Sequence, residues 1–137
     1  METKEIAERM VRELPLQEAR LPEAGLYGVL VTGETFLIGS DPDVYDLLGK
    51  VEKSPLGIIG LAVTTSGWAA PLNEYGKVDG MPSRHPDRKR VLLVAVVTAQ
   101  EVMSAMRFAN EEEVVTDNGG MGALADALRK AFKRITA

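Results

Sequence analysis

The chain has 137 residues, with 45% hydrophobic and 26% charged side chains, the proportions of an ordinary globular domain. Sixteen Lys and Arg against twenty Asp and Glu leave a formal charge of −4, so duplex nucleic acid held by counterion release is not an expected partner. The lack of Cys excludes disulfides, thiolate nucleophiles and cysteine-based zinc sites, and a single His excludes a His-rich metal cage.

Residues 3 to 14 read as a helix. Ile6, Met10, Val11 and Leu14 recur on one face, Thr3 is placed to cap it, and Pro15 discourages continuation. Residues 15 to 24 form a mixed-charge connection. Leu26 to Thr32 and Thr35 to Ile38 read as short strands, with Gly33-Glu34 fitting a two-residue type II′ hairpin. Asp41 is the expected N-cap of a second helix, with Pro42 at its first position. Val44, Leu47, Leu48 and Val51 make its apolar face, and it is expected to end near Ser54-Pro55.

Ile58 to Thr65 is apolar on both faces and reads as a central strand, which Trp68-Ala69-Ala70 extend after a bulge at Gly67. Residues 71 to 88 hold Gly76, Gly80 and three prolines among charges, a loop of functional length. Val91 to Thr98 and Val102 to Phe108 are further strands, and residues 109 to 118 read as an acidic loop. Gly119-Gly120-Met121-Gly122 opens a last helix over about Ala123 to Ile135, with Leu124, Leu128, Ala131 and Ile135 on its apolar face. The expectation is a single α+β domain over residues 1–137 in the order α-β-β-α-β-β-β-α, a five-stranded, mostly antiparallel sheet with three helices. That order resembles roadblock, longin and profilin-like small domains. The N-terminal residues lack the cationic start and apolar run of a signal peptide. The longest apolar stretch, Val91 to Val97, is far shorter than the ~20 residues of a membrane helix. A cytoplasmic protein without membrane contact is expected.

The stretch Met81-Pro82-Ser83-Arg84-His85-Pro86-Asp87-Arg88-Lys89-Arg90 holds the only His and four cations against one acid. Guanidinium forks match phosphate or carboxylate oxygens, and the prolines lower the ordering cost of binding an anion. The competing account is a solvated loop whose Arg88 and Arg90 pair with acids of segment 111–117. His85 near Ser83 raises the question of hydrolysis, yet no G-x-S-x-G elbow is present, and a His capping a turn is the simpler account. Gly119, Gly120 and Gly122 stand before a helix, where free N–H groups can meet a phosphate; alternatively they let that helix dock closely. Trp68 and Tyr75 flank Pro71 beside the cations, as a stacking platform for a nucleotide or as packing and interface anchors. Glu111, Glu112 and Glu113 are consecutive and read as a solvated acidic turn.

Four stretches together resemble a family of small uncharacterised proteins from actinobacteria and their phages. They are Trp68-Ala69-Ala70-Pro71, the run Pro82 to Val91, Met106-Arg107-Phe108, and Gly122-Ala123-Leu124-Ala125-Asp126-Ala127-Leu128. The likeness covers about residues 57 to 130. No activity is assigned to that family, so the resemblance carries over no catalytic residue. It implies a bacterial cytoplasmic or phage-encoded setting and a regulatory or host-interaction role.

Three functions follow as expectations. The first is a non-catalytic binding protein presenting Trp68, Arg84, His85 and Arg88 to a protein partner or to a second copy of itself. The second is a binder of a small nucleotide-like anion through the basic loop, including Ser83 and Arg90, and the Gly119–Gly122 helix start. The third, placed last, is a hydrolase using His85. No cofactor or metal is expected.

Overall fold

The computed structural model describes residues 2–14, 23–51, 57–109, 111–117 and 122–136. In the first helix, α1 (Thr3–Glu13), the buried residues are Thr3, Ile6, Ala7, Met10 and Val11. Glu8 sits between Lys4 and Arg12 at helical spacing, 3.9 Å from each, as surface ion pairs do. Thr3 is not the cap. It lies within the first turn, and its hydroxyl is 3.2 Å from the Thr98 hydroxyl, because the helix start docks on the sheet and offers Thr3 a buried partner.

Strands β1 (Ala24–Leu30) and β2 (Thr35–Asp41) form a hairpin whose turn falls earlier than expected. Gly33 N donates to the Leu30 carbonyl at 2.8 Å, and Leu30 N donates to the Glu34 carbonyl at 2.9 Å. Val31 and Thr32 make the turn, and Gly33 takes a φ of +88°, the left-handed residue that closes a three-residue hairpin loop. Its carbonyl accepts from Arg9 of α1.

Helix α2 (Val44–Lys50) is capped by Asp43, not Asp41: the Asp43 carboxylate accepts from Tyr45 N at 2.8 Å and Asp46 N at 3.1 Å. Asp41 is held extended by pairing with Ala24, and a residue before proline avoids helical backbone. The cap therefore moves two residues on. Ser54 and Pro55 lie outside the described residues, but the helix already ends at Lys50.

Strands β3 (Ile58–Ala69) and β4 (Lys89–Thr98) pair in unbroken register from Gly60↔Thr98 to Ala69↔Lys89, so this ladder carries no bulge at Gly67. Strand β5 (Val102–Phe108) follows a tight turn. Val114–Asp117 then pairs with β5 as β6, which corrects the expectation of an acidic loop there. Among the described residues the sheet thus has six strands, ordered β2-β1-β3-β4-β5-β6 and antiparallel throughout. Four residues behind three glutamates carry too little alternation to announce a strand. The ladder to β5 makes it one.

Alternation sorts the sheet into two cores. Ala62, Val94, Val96 and Ala105 face α1. Leu61, Val63, Ala95 and Val97 face α2 and the last helix, α3 (Ala123–Thr136), which buries Ala125, Leu128 and Ala131. Burial on both faces explains why β3 and β4 read as nearly continuous apolar runs. Among the described residues the α+β class and three α-helices agree with the expectation, with one strand more.

Candidate functional site

Alternation also positions the site. Trp68 pairs with Arg90 and Ser66 pairs with Leu92, so these side chains share the face that Ala62, Val94 and α1 occupy. Helix α1 stops short of them. Arg107, opposite Leu92, donates from Nε to the Val11 carbonyl at 2.9 Å and from Nη2 to the Leu14 carbonyl at 2.7 Å, closing the helix end. The Trp68–Arg90 row lies one step further along the strands.

There the Arg90 guanidinium carbon sits 3.9 Å from the centroid of the Trp68 ring, and that of Arg88 sits 4.8 Å from it. Arg90 is only 4% exposed. Its Nε and Nη1 are buried and have no hydrogen-bond partner among the described residues. Burial pushes its pKa down from the ordinary arginine value, and the neighbouring Arg88 charge adds to this. The group stays cationic near neutrality, because an arginine does not deprotonate there. Stacking on an indole compensates part of the lost hydration, worth about 2 kcal/mol at a desolvated site, but leaves the N–H donors unsatisfied.

The only other buried side-chain atom without a partner among the described residues is Ser66 Oγ. Ser66 is the diagonal neighbour of Arg90 on the same face, a spacing of about 7 Å between backbone positions. Two kinds of unsatisfied donor therefore belong to neighbouring rows of one face. Sequence reasoning passed over Ser66. Its place two residues before Trp68 in a strand puts both on one face, but only the pairing register brings Arg90 beside them.

Arg88 and Arg90 have no acid partner from segment 111–117. It is Lys89, on the other face, that pairs with Glu111 at 3.3 Å, with its ammonium 6.0 Å from the Phe108 ring centroid. Alternation along β4 sends Lys89 away from its two neighbours.

The rest of the basic stretch forms a turn. Pro82–Arg84 is one 3₁₀ turn packed against β3. His85 Nδ1 accepts from Asp87 N at 3.0 Å, and the His85 carbonyl accepts from Arg88 Nη1 at 3.2 Å. An Nδ1 that accepts leaves Nε2 carrying the proton of the neutral ring, so His85 holds a turn and has no free base nitrogen. Ser83 and Arg84 are exposed, and no hydrogen bond joins Ser83 to His85 among the described residues.

Tyr75 does not join Trp68. It is 78% exposed on a turn organised by Asn73, whose Oδ1 accepts from Tyr75 N at 2.9 Å and Lys77 N at 3.1 Å. Gly119 and Gly120 lie outside the described residues. Gly122, with a φ of +109°, leads into α3, which packs on the face opposite Trp68 and Arg90. The basic stretch and the α3 start are thus carried on different faces. Among the described residues no three His, Asp or Glu side chains converge as a metal site, and no helix is long and apolar enough to cross a membrane.

Comparison of the chain with protein families, with curated proteins and with solved structures returned no match.

Proposed function

We propose that this chain is a non-catalytic binding protein that takes an anionic group at the Trp68–Arg88–Arg90 corner. One observation carries the reading: a buried guanidinium keeps two donor nitrogens unpaired, with a second cation on the same ring and no acid against either among the described residues. A buried charge without a partner is costly to the fold, and a bound anion removes that cost. Hydrolysis by His85 has no such support, since its ring is engaged by the turn and Ser83 makes no bond to it. The bacterial cytoplasmic or phage setting rests on the resemblance of residues 57 to 130.

Thermal unfolding tests this reading. Sodium acetate and sodium phosphate are compared with sodium chloride at equal ionic strength. The expected result is a rise in Tm with the oxyanions that Arg90→Met abolishes, because a ligand bound only to the native state stabilises it. Equal Tm values in all three salts overturn the reading.

A second reading, contact with a protein partner or with a second copy, has its own support. Leu93, Met106 and Val115 align across β4, β5 and β6 on the opposite face, with Val115 45% exposed. Sedimentation velocity of the wild type and Val115→Lys tests self-association: a dimer lost in the variant is the expected result, and a monomer at all concentrations excludes it.

A further inference from the structure

We infer that a second site, between α3 and the turn joining β4 to β5, receives a free α-amino acid with an apolar side chain. It uses other residues, on the opposite face of the sheet from Arg90, and so does not rest on the anion-binding reading above. The site is a hollow of about 280 Å³. Pockets for small molecules begin near ~300 Å³, so this one suits a ligand of the smallest kind.

One wall comes from α3. Arg129, Phe132, Lys133 and Thr136 recur at i, i+3, i+4 and i+7, which places them on one stripe of the helix. The other wall is the turn over Thr98 to Glu101, closed by Thr98 N donating to the Glu101 carbonyl at 3.0 Å. Val97 and Val102, buried cross-strand partners, add apolar surface together with Ala99 and the half-buried Phe132. Gln100, Glu101 and Lys133 are exposed, so the hollow is reached from solvent without disturbing the core.

The charges divide between the two walls. Arg129 and Lys133 stand on the helix and Glu101 on the turn, yet no ion pair joins Glu101 to either cation among the described residues. Arg129 commits Nη1 to Asp126 at 3.4 Å, which leaves Nε and Nη2 without a hydrogen bond among the described residues. Lys133 has no ion-pair partner among them. Glu101 also borders a hollow on the α1 side, with Glu2 and Lys4, and makes no ion pair there among the described residues. The hydroxyls are already engaged: Thr136 donates to the Phe132 carbonyl at 2.7 Å, and Thr98 accepts from Gln100 N at 3.3 Å.

Opposite charges that line one hollow without meeting match a ligand that carries both. A simple carboxylate satisfies the cations and leaves Glu101 facing it, and a simple amine does the reverse. An α-amino acid is a zwitterion at neutral pH. Its carboxylate suits the Arg129 fork and the Lys133 ammonium, its ammonium suits Glu101, and its side chain lies against Phe132, Val97 and Val102.

Isothermal titration with leucine tests the inference against three relatives: isocaproate, which lacks the ammonium, isopentylamine, which lacks the carboxylate, and glycine, which lacks the side chain. Leucine is expected to bind about fivefold or more tighter than isocaproate and isopentylamine, the scale of one charge-assisted contact at a partly exposed site. Glycine should bind more weakly than leucine by about tenfold or more, through the apolar area it fails to bury. Glu101→Gln should bring leucine down to the level of isocaproate. Lys133→Met should weaken leucine and isocaproate alike and leave isopentylamine unchanged. Both residues are exposed, so the variants keep the fold. Arg90→Met should leave leucine binding as it is. Isocaproate or isopentylamine binding as tightly as leucine overturns the zwitterion assignment, and glycine doing so overturns the apolar side chain. Leucine binding that survives both Glu101→Gln and Lys133→Met, or is lost in Arg90→Met, overturns the location. Absence of saturable leucine binding overturns the inference outright and leaves the Arg90 reading standing.

Discussion

Arg107 and Leu14 are joined across the fold: the Arg107 Nη2 donates to the Leu14 carbonyl at 2.7 Å, bringing a cation from β5 to the end of α1. Arg134 of α3 does the same for α2, donating from Nε to the Val51 carbonyl at 2.8 Å and from Nη2 to the Leu48 carbonyl. The last carbonyls of a helix lack partners within it and carry the negative end of its dipole. Each arginine answers both with one planar fork. Arg107 ties α1 to the sheet and Arg134 ties α3 to α2, while among the described residues Arg88 and Arg90 satisfy no backbone carbonyl beyond their own turn.

Arg107→Met removes both bonds to α1 and leaves the Val11 and Leu14 carbonyls short of a donor. The expected loss of stability is about 2 kcal/mol, the scale of charge-assisted bonds at a partly buried site. Arg107→Lys should recover less than half, since an ammonium has no fork. Urea unfolding measures both, and a midpoint unchanged in Arg107→Met removes the capping role.

Arg90→Met behaves differently from Arg107→Met. Methionine keeps the unbranched stem against Trp68 and deletes a buried charge that has no partner. The lost cation–π contact costs up to about 2 kcal/mol, and removing the unpaired charge returns a similar amount or more. Without added ligand the variant should be as stable as wild type or more so. A loss above 2 kcal/mol in urea would make Arg90 a structural group and not a receiving one.

Asp41 and Lys50 set a pH dependence. The Lys50 hydrogen bond, then the Asp43 N–H, holds the Asp41 carboxyl below its ordinary value of 3.8, and the same bond raises Lys50 above 10.5. The Asp41 contribution is present above its unfolded pKa and disappears as pH falls through the lowered folded value. The Lys50 contribution is present below its unfolded pKa and disappears as pH rises through the raised folded one. The difference in stability between wild type and Asp41→Asn should be flat from about pH 5 to 9 and shrink at both ends. Urea unfolding across pH checks this, and a difference that grows in acid contradicts it.

Gly60 lies under the β4 backbone. A Cβ at that position would collide with the carbonyl oxygen of Val97, the residue next to its partner Thr98 on the paired strand. A backbone atom cannot rotate away as a side chain can, so Gly60→Ala is expected to destabilise by about 1–3 kcal/mol. Gly67→Ala, where a Cβ meets nothing, is the control in the same strand. Equal unfolding midpoints for the two variants would refute the close approach.

The helical period of residues 3 to 13 and the apolar runs of Val91 to Thr98 and Val102 to Phe108 were legible because each element buries one or both faces over two or more turns or pleats. Such a pattern survives without knowledge of its partner. Residues 114–117 were not legible as a strand, because an edge strand of four residues takes its stability from the neighbour it pairs with. The expected cap, Asp41, was wrong for a related reason: its pairing with Ala24 keeps it in β2, and Asp43 caps the helix instead.

For the candidate site the division is similar. The run of cations from Arg84 to Arg90 and the lone Trp68 stand out by composition, and their spacing in the chain shows that ring and guanidinium groups are present. Which cation stacks, which pairs with Glu111, and which hydroxyl stands unsatisfied beside the ring depend on side-chain alternation and on the register of β3 against β4. Periodicity along one strand fixes which residues share a face. The partner strand, brought from some twenty residues away, decides what they meet, and hydrogen-bonded register is a property of the pair that neither strand carries alone.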